Sequence, residues 1–147
     1  MSMKFANFAA ALIISLIVHA SAHATDPACE EGTPKGFEKC ADNAFREADK
    51  ELNTVYRELI NNIPEKPLLG SEITKADLVA AQRAWLKYIE LSCEIQGALT
   101  RAPTEWTNRT VDWCKAHKTQ RRTEELRLWL GCIKGDEGEH GPVCGAL

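Results

Sequence analysis

The stretch AAQRAWLKYIELSC, residues 80–93, decides how this chain folds. In and around it apolar residues recur at spacings of three and four: Leu78, Ala81, Trp85, Ile89 and then Ser92, with Tyr88 and Cys93 on the flanks. That period belongs to an α-helix with one face turned inward. Arg83, Lys87, Glu90 and Glu94 take the far face at spacings that suit ion pairing. At about 100° per residue, Gln82 stands roughly 40° from Leu78 and so belongs to the buried side. A buried amide left unpaired costs about 1–3 kcal/mol, so Gln82 needs a partner in the interior.

The same period extends to both sides. From Phe37 to Ile63 an inner stripe runs through Ala41, Phe45, Ala48, Leu52, Val55, Tyr56, Leu59 and Ile63, with Arg46, Lys50, Thr54 and Arg57 opposite. The segment NNIPEKP ends this helix, because two prolines cannot continue it. Ser71 or Thr74 then offers an N-cap for the second helix. GALTRAPTEWT, residues 97–107, interrupts the pattern with Gly97 and Pro103. A third helix is expected from Asn108 to Leu130, with Val111, Cys114, Lys118, Arg122, Leu126 and Trp129 along its inner stripe. No sustained period of two and no Asn-Gly hairpin signal appears. The expected fold is all-α: a small disulfide-stapled bundle of about three helices, a long helical hairpin plus a third helix.

The first 24 residues read differently. Lys4 precedes an apolar run from Phe8 to Val18, and Ala22 and Ala24 occupy the small-residue positions of a cleavage site. The run is shorter than the ~20 residues that span a bilayer, so residues 1–24 read as a secretory signal peptide. Residues 25–147 then form a single domain, and no second apolar segment predicts a membrane span after cleavage. The whole chain has 18 Lys and Arg against 21 Asp and Glu, and loss of Lys4 with the leader takes the net charge from −3 to −4. A mildly acidic exported domain is a poor match to nucleic acid and would be drawn to a cationic protein.

All six cysteines, Cys29, Cys40, Cys93, Cys114, Cys132 and Cys144, follow the leader. An even count in an oxidising compartment reads as three disulfides among fifteen possible connectivities. Loop-closure cost favours near neighbours: Cys29–Cys40, Cys93–Cys114 and Cys132–Cys144, the last closing a Gly-rich tail over residues 131–147. The rival assignment is zinc on Cys114, His117, His140 and Cys144. Export and the lack of a compact C-x-x-C pair argue against it, so neither metal nor cofactor is expected.

No catalytic template fits. There is no G-x-S-x-G, no Gly-rich phosphate loop, no H-E-x-x-H and no haem site. Glu30/Glu31 and Glu124/Glu125 are adjacent in sequence and would point apart on a helix, unlike the paired carboxylates of a glycosidase. The Asn108 sequon, NRT, matters only in a host that glycosylates exported proteins. The chain is expected not to be an enzyme. The polar groups that stand out face inward: Gln82 on the second helix, Arg122 on the third, and Asp49 and Asn53 at the edge of the first stripe. A buried guanidinium needs a carboxylate or several carbonyls, so Asp49, Gln82 and Arg122 are expected to form an interior cluster that fixes helix register.

These residues also carry a resemblance. CADNAFREADKELNTVYRELI, AAQRAWLKYIELSC and CKAHKTQRRTEEL together resemble the LprI family of lysozyme inhibitors over residues 40–126. The matching positions are Cys40, Ala48, Asp49, Leu52, Asn53, Tyr56, Gln82, Arg83, Trp85, Cys93, Cys114, Arg122 and Leu126. Where that family shows Arg-Asp before the cysteine of its middle motif, this chain has Ile89-Glu90, so an interior arginine is replaced by an apolar residue. The resemblance implies an exported, periplasmic or secreted, helical protein whose partner is lysozyme or another peptidoglycan hydrolase.

An inhibitor of such an enzyme need only plug its cleft and complement its charge. Two segments could do so: the tail loop with Asp136, Glu137, Glu139 and His140, and residues 101–107, which carry Trp106 beside Pro103 and Arg101. The competing role is a periplasmic immunity or envelope-stress protein that binds another toxin or partner. A third role, a ligand-binding module built on the interior polar cluster, would require a cavity there.

Overall fold

A computed structural model of the chain describes Cys29, residues 32–63 and residues 74–135. These contain three helices and no strand: α1 (Pro34–Asn62), α2 (Lys75–Leu99) and α3 (Thr104–Lys134). The expected leader, Ser71 and the tail beyond Gly135 lie outside the described residues.

Each helix starts and stops for a local reason. Thr33 caps α1, its hydroxyl accepting from Gly36 N at 3.0 Å, with Pro34 set in the first turn, where its missing N–H costs nothing. The helix ends at Ile63, which precedes Pro64 and is extended, as that neighbour demands. Thr74 and Asp77 form a reciprocal capping box on α2. The hydrogen bonds that the Thr74 side chain and backbone donate to its carboxylate hold Asp77 below the ordinary value. Lys134 closes α3 beside Gly135, whose φ of 69° is the left-handed cap that glycine adopts without penalty.

Cross-helix contacts give the topology. Glu38, Glu51 and Glu58 on α1 meet Asn108, Arg127 and Lys134 on α3 in the same order, so these helices run parallel. Gln82 and Cys93 on α2 meet Arg122 and Cys114 on α3 in reverse order, so α2 runs antiparallel to α3. Most inter-helix contact lies between α1 and α3, with less between α2 and α3. Buried positions on the first pair are small: Ala41 and Ala48 on α1, Ala116, Thr119 and Thr123 on α3. Small residues let two helix backbones approach closely. Further along, Leu52, Val55, Leu59, Leu78, Leu126 and Leu130 form the larger core, where all three helices meet. The Thr119 hydroxyl is buried with no hydrogen-bond partner among the described residues.

Two disulfides are described. Cys29–Cys40 ties the lead-in to α1, and Cys93–Cys114 ties α2 to α3, with Cα separations of 5.0 and 5.6 Å. Cys132 is also disulfide-bonded; its expected partner Cys144 lies outside the described residues. Closing loops of this length removes about 3 kcal/mol of unfolded-state freedom each. Cys114 is bonded to Cys93 and so has no free thiolate to offer zinc, while His117 stacks on Trp113 at 5.5 Å. No metal-sized group of His, Cys, Asp and Glu occurs among the described residues, and no described helix is long and apolar enough to cross a membrane.

Three expectations about the α2 and α3 helices need correction. α3 begins at Thr104, a turn earlier than Asn108, because Pro103 starts a helix rather than interrupting one. α2 continues through Gly97 to Leu99, so the break narrows to Thr100–Pro103. On α2 the buried stripe is Leu78, Gln82, Ile89, Cys93 and Gly97, whereas Ala81 is exposed. The Cys93–Cys114 bond and the Gln82–Arg122 contact turn the helix onto its Gln82 side. Gly97 is needed there for space: a Cβ would stand 2.5 Å from Val111 Cγ2 and 3.3 Å from the Thr107 carbonyl oxygen. Gly97→Ala should therefore destabilise despite a helix-propensity gain of about 1 kcal/mol, since overpacking costs ~1–3 kcal/mol. Thermal unfolding followed by circular dichroism should show a lower midpoint.

Candidate partner-binding surface

The turn between α2 and α3 is short and heavily pinned. Thr100 Oγ1 donates to the Gly97 carbonyl at 2.7 Å and accepts from Ala102 N at 3.4 Å. Arg101 N donates to the Ala98 carbonyl at 3.3 Å, and Thr107 Oγ1 to the Ala102 carbonyl at 3.2 Å. Arg101 has a φ of 51°, in the left-handed region, and its side chain is exposed. A residue other than glycine there costs about 1–2 kcal/mol. The turn thus presents Arg101 from a rigid base at a conformational cost that glycine would avoid.

Trp106 stands in the first turn of α3, 38% exposed. Its ring packs beside Phe37 of α1 with centroids 6.4 Å apart, and Arg109 lies over both rings, 5.1 Å from Trp106 and 5.2 Å from Phe37. Trp106 is therefore propped by its neighbours and still offers a face to solvent. Beside this trio runs an open groove of about 600 Å³ between α1 and α3, lined by Glu38, Asp42, Asp112 and Asn108 together with Lys35, Lys39 and Lys115. Burial, and next the nearby Asp42 carboxylate, push Asp112 above the ordinary carboxylate value, with Lys115 opposing. Asn108 is occupied, donating to Glu38 at 2.7 Å.

The inward polar residues behave differently. Arg122 and Gln82 are 7% and 5% exposed, and Arg122 Nε donates to Gln82 Oε1 at 3.0 Å. The guanidinium lies 4.8 Å from the Trp129 ring and 5.9 Å from Trp85, and its Nη1 pairs with Glu125 at 2.6 Å. The carboxylate beside Arg122 is thus Glu125, not Asp49. Asp49 accepts from Asn53 at 2.9 Å on α1, apart from this cluster. The reason is topological: Arg122 occupies the flank of α3 that faces α2, while α1 covers the other flank. Glu125 sits at i+3 from Arg122, a spacing that could have singled it out in the sequence. Ile89 is buried, and the shallow depression beside Arg122, about 210 Å³, opens at the surface rather than enclosing a ligand.

Of the expected contact residues, Arg101 lies in the α2–α3 turn and Trp106 in the first turn of α3, at the same end of the bundle. Asp136, Glu137, Glu139 and His140 lie outside the described residues. Arg109 and Phe37 were not singled out in the sequence, because their pairing joins positions about 70 residues apart that no local pattern links.

Two substitutions separate these roles. Gln82→Leu leaves the Arg122 Nε–H without its acceptor and should cost about 1–3 kcal/mol in denaturant unfolding. Asp112 has a raised folded-state value, so the stability it contributes is present below 3.8 and is lost as the pH rises through that raised value. Asp112→Asn should therefore raise the melting temperature at pH 7, and this gain should vanish in melts below pH 3.8.

A curated relative, the uncharacterized protein R02472 of Rhizobium meliloti (strain 1021), is 31% identical over 132 residues, covering 85% of this chain and 94% of the relative. No solved structure matches the chain. The family model described as lysozyme inhibitor LprI matches residues 25–126, which span α1, α2, the pinned turn and most of α3. Disulfides and a helical body are consistent with an exported protein of this kind, and the chain belongs to the lysozyme inhibitor LprI family.

Proposed function

We propose that this protein is an exported inhibitor that occludes the cleft of a lysozyme-type peptidoglycan hydrolase with the tip formed by Arg101 and Trp106. The observation that carries the reading is the pinned turn holding Arg101 at φ 51° next to a propped, exposed tryptophan. Glycoside hydrolases of this type hold a pair of carboxylates in their cleft. An arginine on a protruding rigid turn is a suitable ion-pair donor to such carboxylates, since its fork matches their geometry. Trp106 supplies a large apolar anchor of the kind that dominates binding energy. The turn is ordered by its own hydrogen bonds and by the Cys93–Cys114 staple, so little freedom is lost on docking. The net negative charge of the remaining chain favours approach to a cationic enzyme.

The test is a turbidity assay of lysozyme acting on cell walls, with the processed chain titrated in. Inhibition near stoichiometry is expected. Trp106→Ala should weaken it about 30-fold, the equivalent of ~2 kcal/mol for an interface anchor, and Arg101→Glu by at least as much. Arg57→Ala, on the exposed side of α1 at the opposite end, should leave it unchanged. Undiminished lysis at a large molar excess of the folded chain would remove the proposal.

A further inference from the structure

α2 carries a second apolar face that the described chain leaves exposed, Lys118 of α3 reaching it only at Tyr88, 5.0 Å from that ring. Its first face, through Gln82, Ile89 and Cys93, is turned onto α3. The second runs through Ala81, Ala84, Tyr88, Leu91, Ile95 and Ala98, and every one of these residues is exposed, Ile95 to 60%. At 100° per residue this stripe is centred roughly 150° around the helix from the buried one. Single exposed apolar residues need no explanation, but a continuous stripe marks an interaction surface. Its spacing alternates three and four, the heptad rhythm of helix-on-helix packing.

We propose that the occupant is a second copy of this chain, with α2 lying antiparallel against its counterpart about a two-fold axis between Ile89 and Glu90. The charges beside the stripe favour this arrangement. Lys87 and Glu94 occupy equivalent flanking positions one heptad apart, on the same edge and of opposite sign. Under the two-fold, Lys87 of each copy meets Glu94 of the other, giving two interchain ion pairs in place of the exposed 3.7 Å Lys87–Glu90 pair within the helix. In a parallel pairing these positions would face Ser92 and Leu99, which carry no charge. Side-chain sizes agree with the same axis: Tyr88 meets Leu91, and the small Ala84 meets the large Ile95. The stripe spans about 27 Å, so the buried area lies near the lower end of specific interfaces and the dimer is of moderate affinity.

Sedimentation equilibrium of the processed chain tests this without reference to lysozyme, so its failure is distinct from failure of the inhibitor reading. A monomer–dimer equilibrium with a dissociation constant on the order of 1–100 µM is expected. Leu91→Glu, at an exposed site where the fold is unaffected, should weaken the dimer about 100-fold or more. Lys87→Glu and Glu94→Lys each create two like-charge contacts and should weaken it about tenfold. Combining the two restores both pairs with their signs exchanged, and the wild-type constant should return to within about threefold. A chain that stays monomeric at millimolar concentration overturns the proposal and leaves the stripe to a different partner. A dimer indifferent to Leu91→Glu, or a double variant no better than the single ones, overturns it equally.

Discussion

α3 is covered by α1 along one flank and by α2 along the other, and this double burial constrains the rest of the molecule. The two flanks are solved with different chemistry. Against α1 the buried positions are mostly small, and the edges are closed by Glu38–Asn108, Glu51–Arg127 and Glu58–Lys134 contacts. Exposed pairs of that kind contribute ~1 kcal/mol or less each, so apolar contact carries this interface. Against α2 the packing is thinner and is supplemented by a disulfide and a buried guanidinium.

That second flank explains why a polar cluster is retained in so small a body. Ion pairs in a core are poor sources of stability, but breaking one leaves a buried charge uncompensated. Arg122 avoids part of the desolvation cost by lying over two tryptophans and by pairing with Glu125 at the surface. Its Nε–H meets the Gln82 amide oxygen only in the rotation of α2 that brings Gln82 opposite it. The rotation set in this way also turns Leu91 and Ile95 outward, so the scaffold and the exposed stripe have one cause.

The same constraint reaches the turn. With Cys93 bonded to Cys114 and Gly97 close against Thr107 and Val111, only four residues are left to reverse the chain. Within that reversal Arg101 takes the left-handed region, at φ 51°. Rigidity of the body and exposure of Arg101 and Trp106 are therefore coupled. This end of the bundle is held still by covalent and hydrogen-bonded means, so little freedom is left for a partner to remove.

The sequence alone determined that three helices form and that the first ends near Pro64, because a 3.6-residue period and the prolines act over short range, but it left the cap of α2 between Ser71 and Thr74 and misplaced the turn before α3. It also placed Gln82 on an inner face, since that follows from its angle to Leu78. It did not determine which carboxylate serves Arg122, nor that Ala81 faces solvent, because both depend on which flank of α3 each neighbour takes. The Phe37–Arg109–Trp106 stack and the uncovered stripe on α2 were decided at the same level. Periodicity tells a helix how many apolar faces it has; only the packing of its neighbours tells which of them remains open.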